Sequence, residues 1–285
     1  MTELAIRPVD GSRRMGFFTD TTVCIGCKAC EVACKQWNDL PADGSVFRAG
    51  GSYDHTGELS ASTWRHVRFV EQLEAEQAPK WLFMSDVCKH CTHAGCLDAC
   101  PTGALVRTEF DTVIVQPDVC NGCGYCVPAC PFGVIDRDRI DGRAAKCTLC
   151  YDRLEDGLEP ACAKSCPTDS IQFGPYDELV EIAERRVAAL QERGVEGAYL
   201  YGAGESVAGG LGAFFLLTEE PEVYGLPADA DSPIQDGAVE ATVAAVSAGL
   251  LAAAGTRRPS ACRASSSAST SIRTRTTSVP RSRTR

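Results

Sequence analysis

Cysteine is the residue whose type and spacing could do chemistry in this chain. Sixteen of the 17 cysteines lie between Cys24 and Cys166, and Cys262 stands alone outside. They form four blocks: Cys24-x2-Cys27-x2-Cys30-x3-Cys34; Cys88-x2-Cys91-x4-Cys96-x3-Cys100; Cys120-x2-Cys123-x2-Cys126-x3-Cys130; and Cys147-x2-Cys150-x11-Cys162-x3-Cys166. Three chemistries use cysteine at this density: disulfide staples, zinc sites and iron–sulfur clusters. Disulfides need an oxidising compartment, and cysteines three apart in a tight loop bridge poorly. Zinc favours C-x2-C pairs separated by a longer spacer, which a run of three cysteines at x2 spacing does not supply. A zinc-binding structural scaffold is the alternative of a different class.

Iron–sulfur clusters fit best. A cubane presents four iron corners, each needing one thiolate. A short loop with a cysteine at every third residue wraps three corners, and the fourth cysteine starts a helical turn that points toward a different cluster. Blocks one and three carry the bacterial ferredoxin run unaltered; blocks two and four stretch its middle interval. Each block thus gives three local ligands and one remote one, and sixteen cysteines fill four [4Fe–4S] clusters with none left over. Blocks two and three are close in sequence and resemble one two-cluster ferredoxin. They give the sets Cys88/Cys91/Cys96/Cys130 and Cys120/Cys123/Cys126/Cys100. Blocks one and four remain as the other pair, with Cys24/Cys27/Cys30/Cys166 and Cys147/Cys150/Cys162/Cys34.

The surroundings of the blocks repeat as well. Cys100-Pro-Thr-Gly-Ala-Leu, Cys130-Pro-Phe-Gly-Val-Ile and Cys166-Pro-Thr-Asp-Ser-Ile share a Cys-Pro turn, a small or turn residue and an apolar strand start. The proline stops helix continuation and turns the chain back. Lys28, Lys89, Lys146, Arg153 and Lys164 lie beside the cysteines, where a cation could raise a cluster potential; solubility explains them equally well. His90 and His93 read as surface residues or hydrogen-bond donors near a cluster. A c-type haem motif, a dinucleotide loop, a P-loop and a nucleophile motif are all missing from the sequence, so the chain reads as a relay with no catalytic site of its own.

These blocks need elements to hold them. The expected fold class is α+β: two bacterial-ferredoxin-like double-cluster units, one inserted in the other, with short hairpins and a C-terminal helix. Residues 20–86 and 135–175 form the split unit of blocks one and four, and residues 87–134 form the inserted unit of blocks two and three. Residues 1–19 are an N-terminal segment, 176–227 a helix and a Gly-rich partner-docking extension, and 228–285 a tail. Gly44–Ser62 reads as loop; Trp64–Val70 and Lys80–Met84 as partner strands; Ala104–Thr108 and Val113–Gln116 as a hairpin; Ile171–Phe173 as a lone strand. Asp177–Arg193 has helical spacing, with Asp177 as N-cap and Gly194 as stop.

Charge and the ends of the chain bound the rest. The net charge of −10 gives a nucleic-acid partner no electrostatic support. The average hides an asymmetry, because residues 257–285 hold eight Arg and no acid, leaving 20 basic against 38 acidic side chains elsewhere. Ser12-Arg13-Arg14-Met15-Gly16-Phe17-Phe18 has the look of a twin-arginine export core. Thr19-Asp20-Thr21-Thr22 follows instead of an apolar stretch, so the segment reads as a lead-in whose Phe17 and Phe18 pack at the start of the fold. Ala241–Thr256 is uncharged but Ala-rich, short of the roughly 20 apolar residues a span needs. Residues 257–285 read as disordered, the product of a basic extension or of a shifted reading frame.

The chain resembles the four-cluster ferredoxin subunits of molybdopterin oxidoreductases, and among them the iron–sulfur β subunit of formate dehydrogenase. The resemblance covers about residues 15–227. It rests on Cys24-Ile-Gly-Cys-Lys-Ala-Cys with Trp37-Asn38-Asp39; on Cys147-Thr-Leu-Cys with Asp152-Arg153 and Glu159-Pro160-Ala161-Cys162; and on Phe214–Pro227, ending Tyr224-Gly-Leu-Pro. It implies an electron-transfer role in anaerobic respiration between a molybdopterin catalytic subunit and a membrane cytochrome b or other acceptor. The equivalent subunit of a nitrate, dimethyl sulfoxide or polysulfide reductase, or of a hydrogenase, is the runner-up. Location at the membrane through partners is implied, on the cytoplasmic side unless a partner's signal exports the complex folded.

Overall fold

The computed structural model describes residues 13–42, 52–72 and 80–230. In chain order the elements are β1 (Met15–Asp20), α1 (Ala29–Trp37), β2 (Arg65–Gln72), β3 (Lys80–Val87), α2 (Gly95–Asp98), β4 (Leu105–Arg107), β5 (Val113–Val115), β6 (Asp136–Arg137) and β7 (Ala144–Ala145). Then come α3 (Tyr151–Glu155), α4 (Ala161–Lys164), β8 (Ile171–Pro175), α5 (Tyr176–Glu192), β9 (Tyr199–Tyr201) and β10 (Ala213–Leu217). Among the described residues no helix is long and apolar enough to cross a membrane. Residues 44–51 of the expected Gly44–Ser62 loop, Ala241–Thr256, the tail beyond Ala230 and Cys262 lie outside the described residues.

A four-stranded sheet in the order β8-β1-β10-β9 organises this scaffold. β1 runs parallel to β10 and antiparallel to β8, with Phe18 opposite Phe214 on one side and Gln172 on the other. Met15–Phe18 of the twin-arginine-like segment therefore lie in a central strand, which Arg13 and Arg14 precede. All six β1 residues are buried, Phe17 and Phe18 completely, as expected of a strand covered on both faces. Phe18 stacks on Phe214 with centroids 5.4 Å apart. Buried Asp20 accepts from Arg186 of α5 at 2.8 Å, so its charge is paired. Ile171–Phe173 is not a lone strand; it is extended to Pro175 and paired to β1.

α5 packs on this sheet through buried Leu179, Ala183 and Leu190, with Ile182 and Val187 partly buried beside them. Its start differs from expectation. Pro175 holds the N-cap position, and Asp177 sits in the first turn, bonded at 2.7 Å to Arg13 and favourably placed at the positive end of the helix dipole. β2 and β3 pair antiparallel from Arg65–Val87 to Gln72–Lys80, and β4 pairs antiparallel with β5, both pairings as the sequence predicts.

Candidate iron–sulfur centres

The four blocks form four loops of one local design. The residue just before the second cysteine is left-handed in every block: Gly26 (φ 65°), His90 (46°), Gly122 (73°) and Leu149 (59°). This reversal swings the second cysteine to the same side as the first. Glycine adopts it freely, whereas His90 and Leu149 each carry a strain of about 1–2 kcal/mol. After the third cysteine the chain enters a helix or turn: Cys30 and Cys34 are both on α1, Cys96 is on α2 and Cys162 on α4.

Packing between blocks brings the cysteines into groups. Cys24, Cys27, Cys30 and Cys166 line one cavity, together with Lys28, Ser85 and Ser170. α1 packs against α4, and Cys34 lies near Cys147, Cys162 and Cys150. Cys91 faces Cys88, Cys130 and Cys96. Cys126 faces Cys100, Cys120 and Cys123. All sixteen are unbridged, with Cys27 and Cys123 exposed.

The donor set fits iron–sulfur clusters. Among the described residues no three His, Cys, Asp or Glu side chains converge as one ion requires. Tetrahedral zinc would hold its sulfurs about 3.8 Å apart, from Zn–S bonds of about 2.3 Å. Burial pushes the Cys30 and Cys96 thiols up to about 12 and those of Cys126 and Cys150 to about 11, with neighbouring sulfurs adding to the shift. Free thiols in such places stay neutral, whereas a coordinating thiol is deprotonated outright. Backbone and side-chain donors already point at the sulfurs: Leu149 N–H to Cys147 at 3.3 Å, Ala144 N–H to Cys120 at 3.4 Å and Asn38 Nδ2 to Cys34 at 3.6 Å. In the two Cys-Pro-Thr repeats the threonine hydroxyl lies 3.6 Å (Thr102) and 3.8 Å (Thr168) from its own cysteine sulfur.

Most of the buried charged side chains around the groups are cationic, with Glu31 and Asp86 as buried carboxylates among them. Arg65, Lys89 and Lys146 are essentially inaccessible, and Arg153 is buried as well, while Lys164 is exposed. Solubility therefore accounts for Lys164 and not for Lys89 or Lys146. Lys146 donates to the carbonyls of Val113 and Cys147 and faces Cys88, Cys96 and Cys147. Burial opposes the charge on Arg65, and the facing sulfurs of Cys162, Cys30, Cys147 and Cys34 outweigh it, raising its pKa. Sequence reasoning missed Arg65, which heads an alternating strand where charged residues ordinarily face water. His90 is buried, not on the surface, and it accepts: Val113 N–H donates to its Nδ1 at 3.1 Å. Burial and the nearby Lys146, Arg107 and Arg65 hold the ring's pKa well below its ordinary value. Among the described residues its Nε2 and Arg65 Nε are buried and have no hydrogen-bond partner. His93 is exposed.

These sites define an iron–sulfur protein of the dicluster ferredoxin class. Two forms of the 4Fe-4S dicluster domain match the chain, over residues 79–176 and 23–104, and two such domains amount to four [4Fe–4S] clusters. The chain is 45% identical over 214 residues to the iron–sulfur subunit of the nitrate-inducible formate dehydrogenase of Escherichia coli, covering 74% of this chain and 71% of that one. It is 44% identical to the formate dehydrogenase iron–sulfur subunit of Haemophilus influenzae, over 74% of this chain and 67% of the relative. A component of the anaerobic dimethyl sulfoxide reductase of E. coli is 38% identical over 168 residues, covering 58% of this chain and 75% of the relative. The chain belongs to the family of formate dehydrogenase iron–sulfur subunits. It comprises two 4Fe-4S dicluster ferredoxin-like domains of mixed helix and strand.

Proposed function

We propose that the chain relays electrons from a molybdopterin catalytic subunit that oxidises formate to a membrane cytochrome b or equivalent acceptor, and that it does so as part of a membrane-associated complex. The sixteen cysteines hold the clusters in the sets Cys24/Cys27/Cys30/Cys166, Cys147/Cys150/Cys162/Cys34, Cys88/Cys91/Cys96/Cys130 and Cys120/Cys123/Cys126/Cys100. When bound, the clusters supply one-electron redox chemistry and nothing else. The carrying observation is the convergence of Cys166 on block one and of Cys34 on block four, with Cys130 and Cys100 exchanged likewise between blocks two and three. That exchange supports an arrangement in which the unit of blocks two and three is inserted into the unit of blocks one and four.

Adjacency between sets supports a linear order. Cys30 faces Cys162, Cys147 faces Cys88, and Cys96 faces Cys126. The Cys24 set and the Cys120 set are then the two ends, and these own the two exposed cysteines, Cys27 and Cys123. Exposed apolar side chains flank both ends in sequence: Ile25 and Val32 at one, Val119 and Tyr125 at the other. Apolar surface beside an electron exit is what partner docking requires.

The test is iron content together with co-purification. About 16 Fe per chain with absorbance near 400 nm, four clusters of four, is the expected result, in a complex that reduces viologen dye with formate. A colourless chain, or a complex active only with nitrate, sulfoxide or hydrogen, overturns the reading.

A further inference from the structure

The Cys24 set and the Cys147 set are joined by a chain of hydrogen bonds that runs from one ligand sulfur to another. Ser85 Oγ lies 3.2 Å from Cys30 Sγ. Arg65 Nη1 donates to Ser85 Oγ at 3.4 Å and to the Ser85 carbonyl at 3.3 Å, and Nη2 of the same guanidinium donates to Cys162 Sγ at 3.1 Å. With the guanidinium donating to Ser85 Oγ, the serine hydroxyl is left to donate to Cys30. The bridge is sealed: Arg65 and Ser85 are each 1% exposed, and the guanidinium lies 4.7 Å from the centre of the Phe17 ring.

We propose that Arg65 and Ser85 form a charged bridge that sets the reduction potentials of these two adjacent clusters together. Reduction adds negative charge that spreads onto the ligand sulfurs, and hydrogen bonds to sulfur and nearby net charge are the levers by which a protein shifts a cluster potential. A buried cation facing ligands of both sets favours the reduced state of each, and it eases the placing of electrons on two neighbours at once. The pairing by strand register explains why these residues meet: Arg65 and Ser85 belong to paired strands, Val67 of β2 facing Ser85 of β3. The proposal rests on the cysteine sets given above.

Electron paramagnetic resonance during stepwise reduction of the iron-loaded complex reads each midpoint. In Arg65→Gln two of the four midpoints are expected to fall, shifting the reduced-to-oxidised ratio on the order of tenfold, about 59 mV for a one-electron couple. The other two should stay. Ser85→Ala should lower a single midpoint by less, and Arg65→Lys, which keeps the charge, should fall between Arg65→Gln and the unsubstituted chain. Four unchanged midpoints in an iron-replete Arg65→Gln chain, or four that move together, overturn the bridge. If Arg65→Gln fails to load iron, Ser85→Ala decides: one lowered midpoint upholds the proposal and none overturns it. A parent chain with no cluster signals would instead sink the relay function itself.

Discussion

At the scale of single residues, the fold buries cations that sulfur, carboxylate, backbone carbonyl and aromatic partners make tolerable. Lys89 donates to Asp86 and, at 2.9 Å, to the Val87 carbonyl, with the rings of Phe132 and Phe215 within 5.2 and 5.5 Å. Both charges of this pair are hidden, their side chains only 1% and 8% exposed. Lys89→Met keeps the volume but leaves Asp86 charged and buried, so it should cost about 3–5 kcal/mol. Adding Asp86→Asn should recover much of that loss, because the two effects share one interaction. Anaerobic guanidinium unfolding followed by cluster absorbance measures both; a loss below about 1 kcal/mol, typical of an exposed pair, would contradict the prediction. The cysteines themselves were legible because ligand number and spacing are fixed by the corners of a cluster. The cations were legible only as types near cysteines. Whether a lysine is buried depends on which chains fold over it, and nothing at Lys89 or Lys164 in the sequence separates the hidden one from the exposed one.

At the scale of elements, the four loops share a left-handed residue before the second cysteine, and two of them meet that need with glycine. The Gly-Cys dipeptides at Gly26 and Gly122 were a readable sign of it; His90 and Leu149 adopt the same conformation without one. Gly122 has a second constraint, since a Cβ there would lie 2.6 Å from the Gly142 carbonyl oxygen of the adjoining loop. Gly122→Ala should therefore deform the third block and lower iron from about 16 to about 12 per chain, one cluster's share. Gly194, also left-handed at φ 88° but with nothing within 4 Å, serves as the comparison. Gly194→Ala should cost about 1–2 kcal/mol in stability and leave iron content intact. Equal iron loss in both variants would show that backbone strain alone, and not the close approach, governs the loop. The β2–β3 pair was legible from the alternation of Trp64–Val70, and the β4–β5 hairpin from the Glu109–Thr112 turn that its strands flank. β1 was not, because Thr19 and Asp20 look like a polar exit from the strand; Asp20 is instead buried against Arg186, a helix residue 166 positions away that no local pattern reveals.

At the scale of the whole molecule, the proposed linear succession of the cysteine sets predicts behaviour that separates it from a branched or clustered layout. In a chain of four, removing either inner set divides the remaining three into one and two. Cys150→Ala should abolish the Cys147 set and Cys91→Ala the Cys88 set, each lowering iron to about 12 per chain. Formate added to the assembled complex then loads only the sets on the catalytic subunit's side of the break. If that subunit docks at the Cys24 end, one set is reduced in Cys150→Ala and two in Cys91→Ala; if it docks at the Cys120 end, the numbers exchange. Either outcome upholds the order and at the same time assigns the two exposed ends, Cys27 and Cys123, to their partners. Rapid-freeze electron paramagnetic resonance counts the reduced sets, with dithionite giving the total. Reduction of all three remaining sets at the parent rate in both variants would mean that electrons bypass the inner positions, and the succession read from Cys30–Cys162, Cys147–Cys88 and Cys96–Cys126 would be wrong.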